Sequence, residues 1–251
     1  MRDMTTKITC VYDEGSQPYT SLIGAKGTAM LVEKDGKKIL FNTGLRDRYL
    51  IHNMEFLEFE PESLDMVIVS QSNPNDSGAL NGILKNRESP LDVYCPEGLY
   101  GKRSMMSRSV GVSDESREKA VFHDIGVWTE VVPGVHITPF FYDKKGYGET
   151  FLVVQDGTKV ALISGRCSCY PDKVISDVES HIGKKITAFI GPVFLEKKKK
   201  PVAKEYADML SSIPDLYINH CVGRDGMVNL RVNLGLEGVH DFYVGDVYNL
   251  K

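Results

Sequence analysis

The alternation of apolar and polar residues predicts a β-rich start to the chain. The turn Asp35-Gly36 lies between two apolar runs, a pattern typical of a β-hairpin. Apolar residues at helical spacing predict helices over Asp47–Glu58 and near Gly78–Lys85. Short apolar runs predict strands at Ile8–Tyr12, Thr28–Glu33, Lys38–Phe41, Leu64–Val69 and Leu91–Cys95.

The second half of the chain repeats this pattern of a β-meander followed by alternating helices and strands. Strands are predicted at Thr129–Val132, Val135–Phe141, Thr150–Val154, Lys159–Ile163, Ile186–Ile190 and Leu216–Ile218, and helices near Pro171–Ile182 and at Val202–Ser211. Two such halves favour a layered α/β sandwich, which we expect to be a single domain over residues 1–251. Residues 101–125, rich in Ser and Arg, fit neither half and are interpreted as a lid or an insertion.

Composition and charge narrow the classes of partner. The chain has 251 residues, is 42% hydrophobic and has a formal net charge of -4, which argues against a nucleic-acid or anionic-membrane partner. No apolar run approaches the roughly 20 residues that span a bilayer, and Met1–Lys7 lacks the apolar core of a signal peptide. Without such a signal, the five cysteines are interpreted as free thiols in a cytoplasmic protein.

The clearest motif is the polar loop between the strand Leu64–Val69 and the helix that follows it. Residues 70–80 resemble the metallo-β-lactamase superfamily motif Ser-His-x-His-x-Asp-His-x-Gly-Gly-Leu, because Ser70, Gly78 and Leu80 fall at matching positions. The motif's metal-ligand positions carry other residue types here, namely Gln71, Asn73, Asn75 and Asp76.

Other segments extend this resemblance and are similar to the dihydropterin ribofuranosyl-aminobenzene phosphate synthase-like branch. Lys38–Gly44 resembles its Leu-Phe-Asp-Thr-Gly turn, with Asn42 in place of Asp. Three further segments also resemble the branch: Ser164–Cys169 has Cys169 at a histidine position, Ile190–Leu195 has Phe194 at another, and His220–Gly223 keeps its histidine. The resemblance implies an α/β fold of the four-layer αββα type.

The same resemblance implies two metal sites with altered ligands. By position, one would comprise Gln71, Asn73 and Cys169, and the other Asn75, Asp76 and His220. Zinc prefers imidazole, thiolate and carboxylate, whereas an amide oxygen is a weak zinc ligand. We therefore expect a pseudoenzyme without di-zinc hydrolase activity and without a cofactor. It would bind a small phosphorylated or pterin-like ligand in the former active-site cleft, through these residues and Phe194.

Two other interpretations of these side chains stay open. In one, Asp76, Cys169 and His220 hold a single divalent metal ion such as zinc and support a hydrolase or synthase activity. In the other, Cys169 is a nucleophile activated by His220.

Two clusters of basic residues also allow two interpretations, phosphate binding or solvated surface charge. Lys102, Arg103, Arg108 and the run Lys197–Lys200 could contact a phosphate group, although solvated surface charge is the usual role of such residues.

Overall fold

Two mixed β-sheets organise the chain, each with seven strands among the described residues. The structure is a computed structural model that describes residues 6–99, 112–195, 200–219 and 223–251. The chain divides into two compact units, each containing one of the seven-stranded sheets. Unit 1 is Met1–Gly126 with Tyr243–Asn249, and unit 2 is Val127–Phe242 with Leu250–Lys251. The expectation of a single domain stays a prediction.

The sheet of unit 1 combines an antiparallel meander with a parallel half. Its strands are β1 (Thr6–Tyr12), β2 (Ala29–Lys34), β3 (Lys37–Phe41), β4 (Met66–Ile68), β5 (Leu91–Cys95), β6 (Ala120–Asp124) and β16 (Val247–Leu250). The strand order is β16-β1-β2-β3-β4-β5-β6. The β1–β2 and β2–β3 pairs are antiparallel, whereas the pairs from β3 to β6 are parallel. The parallel half therefore needs crossover connections, which the helices supply.

Helices cover one face of this sheet. The described part of unit 1 contains four helices: α1 (Asp47–Phe56), α2 (Pro74–Ser77), α3 (Leu80–Lys85) and α4 (Asp114–Arg117). Leu50 and Met54 of α1 and Ile83 of α3 are fully buried in the core that they form with strand residues such as Leu40 and Val67. Burial of apolar surface contributes about 25 cal/mol of stabilising free energy per Å². This contribution stabilises helices that are too short to form in isolation.

The sheet of unit 2 has the same architecture. Its strands, together with a small separate hairpin, are β7 (Thr129–Val132), β8 (Val135–Ile137), β9 (Phe141–Tyr142), β10 (Gly148–Glu149), β11 (Leu152–Asp156), β12 (Lys159–Ile163), β13 (Ala188–Ile190), β14 (Asp215–Ile218) and β15 (His240–Asp241). The order is β15-β14-β13-β12-β11-β8-β7, and the hairpin pairs β9 with β10. The pairs from β7 to β12 are antiparallel, and those from β12 to β15 are parallel.

Among the described residues of unit 2, three helices pack on its sheet: α5 (Pro171–Ile182), α6 (Lys200–Leu210) and α7 (Arg224–Leu234). α5 begins with a proline in its first turn and ends at Gly183, whose φ of 70° is the left-handed conformation that favours glycine. Val178 of α5 and Ala207 of α6 are fully buried in the core of this unit.

Several elements differ from the sequence-based prediction. Residues 114–124, interpreted as part of a lid or an insertion, contain α4 and the edge strand β6, so this part of the segment belongs to the sheet of unit 1. Residues 101–111 lie outside the described residues. β8 ends at Ile137 rather than continuing to Phe141. Pro139 follows, and a proline has no N–H for a strand ladder.

The four cysteines among the described residues, Cys10, Cys95, Cys167 and Cys169, are buried, and no disulfide joins any two of them. Burial raises the pKa of the Cys95 thiol to about 12. Within the described ranges, no helix has the length and apolar character needed to cross a membrane.

Candidate functional site

The motif loop of unit 1, residues 70–79, lies against the Asn42-Thr43-Gly44 turn at the end of β3. The Thr43 N–H donates to the backbone oxygen of Asp76 (2.7 Å), and the Thr43 hydroxyl donates to the same oxygen (3.2 Å). The Ala79 N–H donates to Gly44 O at 3.1 Å and lies 3.2 Å from the Thr43 hydroxyl oxygen. The two segments singled out by the family resemblance therefore form one hydrogen-bonded structure.

Asn42 connects the two ends of this loop. Its Oδ1 accepts a hydrogen bond from the Ser70 N–H (2.8 Å), and its Nδ2 donates to Oδ1 of Asp76 (3.3 Å). Asn42 is fully buried and has a φ of 61°, a left-handed conformation that Asn tolerates better than most residues. A neutral amide thus lies beside the buried Asp76 carboxylate, where an aspartate would bring a second negative charge.

The remaining motif side chains take different roles. Asn73 is the N-cap of α2, because its Oδ1 accepts the Asn75 N–H at 2.9 Å. Gln71 is 7% exposed, and its Nε2 has no hydrogen-bond partner among the described residues. A buried polar group without a partner is rare in proteins and typical of a place where a ligand or water binds.

Two glycines allow the close approach of backbone around the motif loop. A Cβ on Gly27, whose φ is 125°, would lie 2.5 Å from Asn75 O. A Cβ on Gly78 would lie 2.4 Å from Leu45 O. Both contacts are closer than real Cβ atoms come, so the close approach of the backbone explains why glycine occupies these two positions.

The corresponding loop of unit 2, Ser164–Cys169, follows β12 and is held by Glu149, an acid that the sequence analysis did not single out. Oε1 of Glu149 accepts the N–H groups of Arg166 (2.6 Å) and Cys167 (2.9 Å), and Oε2 accepts that of Ser168 (3.3 Å). Glu149 has no exposed surface. Burial raises the pKa of its carboxyl group, and the three N–H donors oppose that rise.

The side chains of this loop contact the segment that contains Phe194. The guanidinium carbon of Arg166 lies 4.3 Å from the centre of the Phe194 ring, within cation–π distance. The Phe194 N–H donates to Cys167 O (3.3 Å), so the two segments are also joined through the backbone. Cys169 is 4% exposed within the apolar core of unit 2, and its backbone oxygen accepts the Tyr206 hydroxyl at 3.2 Å.

The predicted site residues are thus distributed over both units. Gln71, Asn73, Asn75 and Asp76 share the motif loop of unit 1, whereas Cys169 and Phe194 belong to unit 2. His220, Lys102, Arg103, Arg108 and Lys197–Lys199 lie outside the described residues, so a site that combines Asp76, Cys169 and His220 stays a prediction. Among the residues that the structure describes, no three His, Cys, Asp or Glu side chains cluster in a way that could hold a metal ion.

Glu149 could have been noticed from its setting in the sequence. It is followed by Thr-Phe-Leu-Val-Val, an apolar run in which an acid has no obvious route to solvent. Buried carboxylates are retained where several donors meet them. The donors come from a loop 17–19 residues away, however, and no local pattern identifies them.

Comparison with known proteins gives a partial match in sequence. No protein-family profile matches the chain. A segment of 67 residues is 39% identical to the 7,8-dihydropterin-6-methyl-4-(β-D-ribofuranosyl)-aminobenzene-5′-phosphate synthase of Methanocaldococcus jannaschii. The match covers 25% of this chain and 23% of that protein, so it spans about a quarter of the relative's length.

Solved structures are similar over almost the whole chain. A metal-dependent hydrolase of the β-lactamase superfamily superimposes with a TM-score of 0.77 at 18% identity, covering 98% of this chain and 99% of that one. The metallo-β-lactamase fold protein YhfI from Bacillus subtilis gives 0.69 at 14% identity, and the short form of human tRNase Z gives 0.62 at 13%, both with the same coverage. The chain therefore has the metallo-β-lactamase fold, as its sequence predicted, and part of its sequence resembles the dihydropterin phosphate synthase.

Proposed function

We propose that the protein is a metallo-β-lactamase-fold protein that lacks di-zinc hydrolase activity and binds a small phosphorylated or pterin-like molecule at the motif loop. The observation that supports this proposal is that side chains of the motif loop form hydrogen bonds within the protein. Asn73 caps α2 and Asp76 accepts a hydrogen bond from Asn42, so two former ligand positions contribute to the loop's own structure.

The donor chemistry of the motif loop does not fit a pair of zinc ions. Gln71, Asn73 and Asn75 offer amides, and only Asp76 offers a carboxylate. Zinc sites in proteins are built from imidazole, thiolate and carboxylate groups. With so few strong donors in unit 1, the loop is poorly suited to hold the two metal ions of the intact motif.

Gln71 supports a role in ligand binding. Its buried Nε2 has no protein partner among the described residues, so a bound acceptor oxygen would remove the desolvation cost of this amide. Phosphate groups and the oxo group of a pterin both supply such an oxygen. The partial relative is named for a dihydropterin phosphate product, which favours the same classes of ligand.

The charge of the protein favours a small-molecule ligand over a nucleic acid. The net charge of -4 gives little long-range attraction to a phosphate backbone. The similarity to human tRNase Z concerns the fold, at 13% identity.

The alternative function is a metal-dependent hydrolase or synthase with one ion at Asp76, Cys169 and His220. The burial of Asp76, which is 2% exposed, supports this alternative, because a buried carboxylate is a strong metal ligand. Metal content separates the two functions.

Elemental analysis of the protein purified without chelators tests the loss of the zinc centre. We expect well under one zinc per chain. One zinc per chain, together with turnover that disappears in an Asp76→Ala variant, would establish the alternative. Two zinc ions per chain would refute the proposal as well.

Titration calorimetry with a 7,8-dihydropterin and with ribose 5-phosphate as separate probes tests ligand binding. Gln71→Ala should weaken binding of the recognised probe about tenfold, the effect of losing one buried hydrogen bond. Gln155→Ala is the matched control, because Gln155 lies on β11 of unit 2, outside the motif loop. Failure of both probes to bind, or equal affinities in the wild type and Gln71→Ala, would count against a pterin or phosphate site at this loop.

A further inference from the structure

Glu149 stands out among the acids of unit 2 because it is completely buried and contacts backbone donors. Its two carboxylate oxygens accept three successive N–H groups, those of Arg166, Cys167 and Ser168, at 2.6, 2.9 and 3.3 Å. Successive N–H groups that point to one place form an anion-binding concavity. In this protein the chain's own carboxylate occupies that concavity.

The loop needs such support because its backbone is strained. Cys167 has a φ of 51°, in the left-handed region that is unfavourable for residues other than Gly, Asn and Asp. Residues in such conformations persist only where the surroundings fix them. The Glu149 carboxylate contacts the N–H of this residue and of both its neighbours.

We propose that Glu149 is the positioning residue of the Ser164–Cys169 loop. By binding the three N–H groups it holds the conformation in which Arg166 lies over the Phe194 ring and Cys169 is buried. The loop that the family resemblance links to metal binding is thus fixed by an internal anion and does not depend on a bound ion for its shape. This inference concerns the conformation of the loop and is independent of any ligand of the motif loop.

Thiol labelling of a Glu149→Gln variant tests the proposal. The amide keeps the size of the side chain but loses the charge, and its NH₂ group cannot accept an N–H. Cys167 and Cys169 are buried in the wild type and lie in one tryptic peptide, residues 167–173. We expect iodoacetamide to label both about 10-fold to 100-fold faster in the variant, because local opening becomes easier by that factor when charge-assisted hydrogen bonds are lost.

Internal and matched controls separate a loop effect from general loosening. Cys10 and Cys95, buried in unit 1, should change by less than about twofold. Glu179→Gln is the matched variant, since Glu179 also accepts a backbone N–H, that of Ile186 at 3.1 Å, but holds a different loop of unit 2. Its labelling at Cys167 and Cys169 should equal that of the wild type. Unchanged labelling in Glu149→Gln, or equal acceleration at Cys10, Cys95, Cys167 and Cys169, would overturn the proposal.

Hydrogen exchange of the unmodified protein gives a second test that does not depend on the folding of a variant. The amides of Arg166, Cys167 and Ser168 should exchange as slowly as those of β11 and β12, although they lie in a loop. Exchange of these amides at the rate of exposed loop amides would refute the positioning role of Glu149.

Discussion

The motif loops of the two units are fixed by opposite chemistry. In unit 1 the loop is held by a neutral amide: Asn42 accepts the Ser70 N–H and donates to the Asp76 carboxylate. In unit 2 the loop is held by a buried acid, Glu149, which accepts three backbone N–H groups. Each anchor complements its own loop, since unit 1 already carries a buried carboxylate and unit 2 presents only donors to its anchor.

This difference shows two ways in which hydrogen bonds can fix a polar loop. A buried negative charge requires a donor or a cation nearby, because desolvation of an ion costs several kcal/mol. Asn42 supplies a donor to Asp76 without adding charge. Asn42 therefore satisfies an oxygen of the buried Asp76 carboxylate without introducing a second negative charge.

The largest effect is expected when the amide anchor of unit 1 is made acidic. Asn42→Asp would place a second carboxylate beside Asp76, where Nδ2 of Asn42 now lies 3.3 Å from Oδ1. We expect the free energy of unfolding to fall by about 2–4 kcal/mol at pH 7, measured by urea denaturation, because two buried like charges repel and a hydrogen bond is lost.

The pH dependence of this variant has a defined sign. Repulsion raises the folded-state pKa of the carboxyl pair above the unfolded value of about 4, so the penalty grows as the pH rises above about 4 and disappears below it. Asn86→Asp, at an exposed position of the same unit, should cost less than about 1 kcal/mol. If Asn42→Asp and the wild type were equally stable at pH 7, a neutral side chain at position 42 would not be needed to avoid a second negative charge beside Asp76.

A smaller effect is expected at the cap of α2. Asn73→Ala removes the acceptor of the Asn75 N–H and should lower the free energy of unfolding by about 1 kcal/mol. Asn73→Ser keeps a capping oxygen and should stay within about 0.5 kcal/mol of the wild type. A urea midpoint that falls equally in both variants would mean that Asn73 acts through something other than its cap.

The smallest effect concerns the titration of His136 in unit 2. Burial, helped by the nearby His181, lowers the pKa of His136, while Glu130 opposes this shift. Because the folded state binds the proton less readily than the unfolded chain, stability should decrease as the pH falls below the unfolded value of about 6.5. His136→Gln should reduce this slope.

Trp128, the only tryptophan of the chain, makes this measurement specific to unit 2. Its ring centre lies 6.4 Å from that of His136, so its fluorescence reports unfolding near the titrating group. The interpretation fails if the midpoint of Trp128 unfolding has the same pH dependence in the wild type and in His136→Gln.

Elements with strong local patterns were predicted closely. Leu91–Cys95, Thr129–Val132, Lys159–Ile163 and Pro171–Ile182 have the bounds expected from the sequence. Their patterns are local: apolar runs or alternation in the strands, and in the helix a proline at the start and Gly183 at the end.

Elements with weak local patterns were missed. α2 has four residues, too few for a helical period, and depends on the Asn73 cap and on contacts with Thr43. α7 was not predicted, because its buried residues include only Met227 and Leu230 as large apolar side chains, while Val228 and Val232 are exposed. In both cases contacts with residues distant in the sequence stabilise the helix.

The sequence by itself determined the fold and the residue types at the motif positions. Both follow from local patterns, namely apolar periodicity and the order of short motifs along the chain. The tertiary structure alone decided which side chains anchor the loops. The Asn42–Asp76 hydrogen bond spans 34 residues, and the hydrogen bonds from Glu149 reach 17–19 residues along the chain to strained backbone. Such contacts depend on where strand ends meet in the folded sheet, which no local pattern specifies.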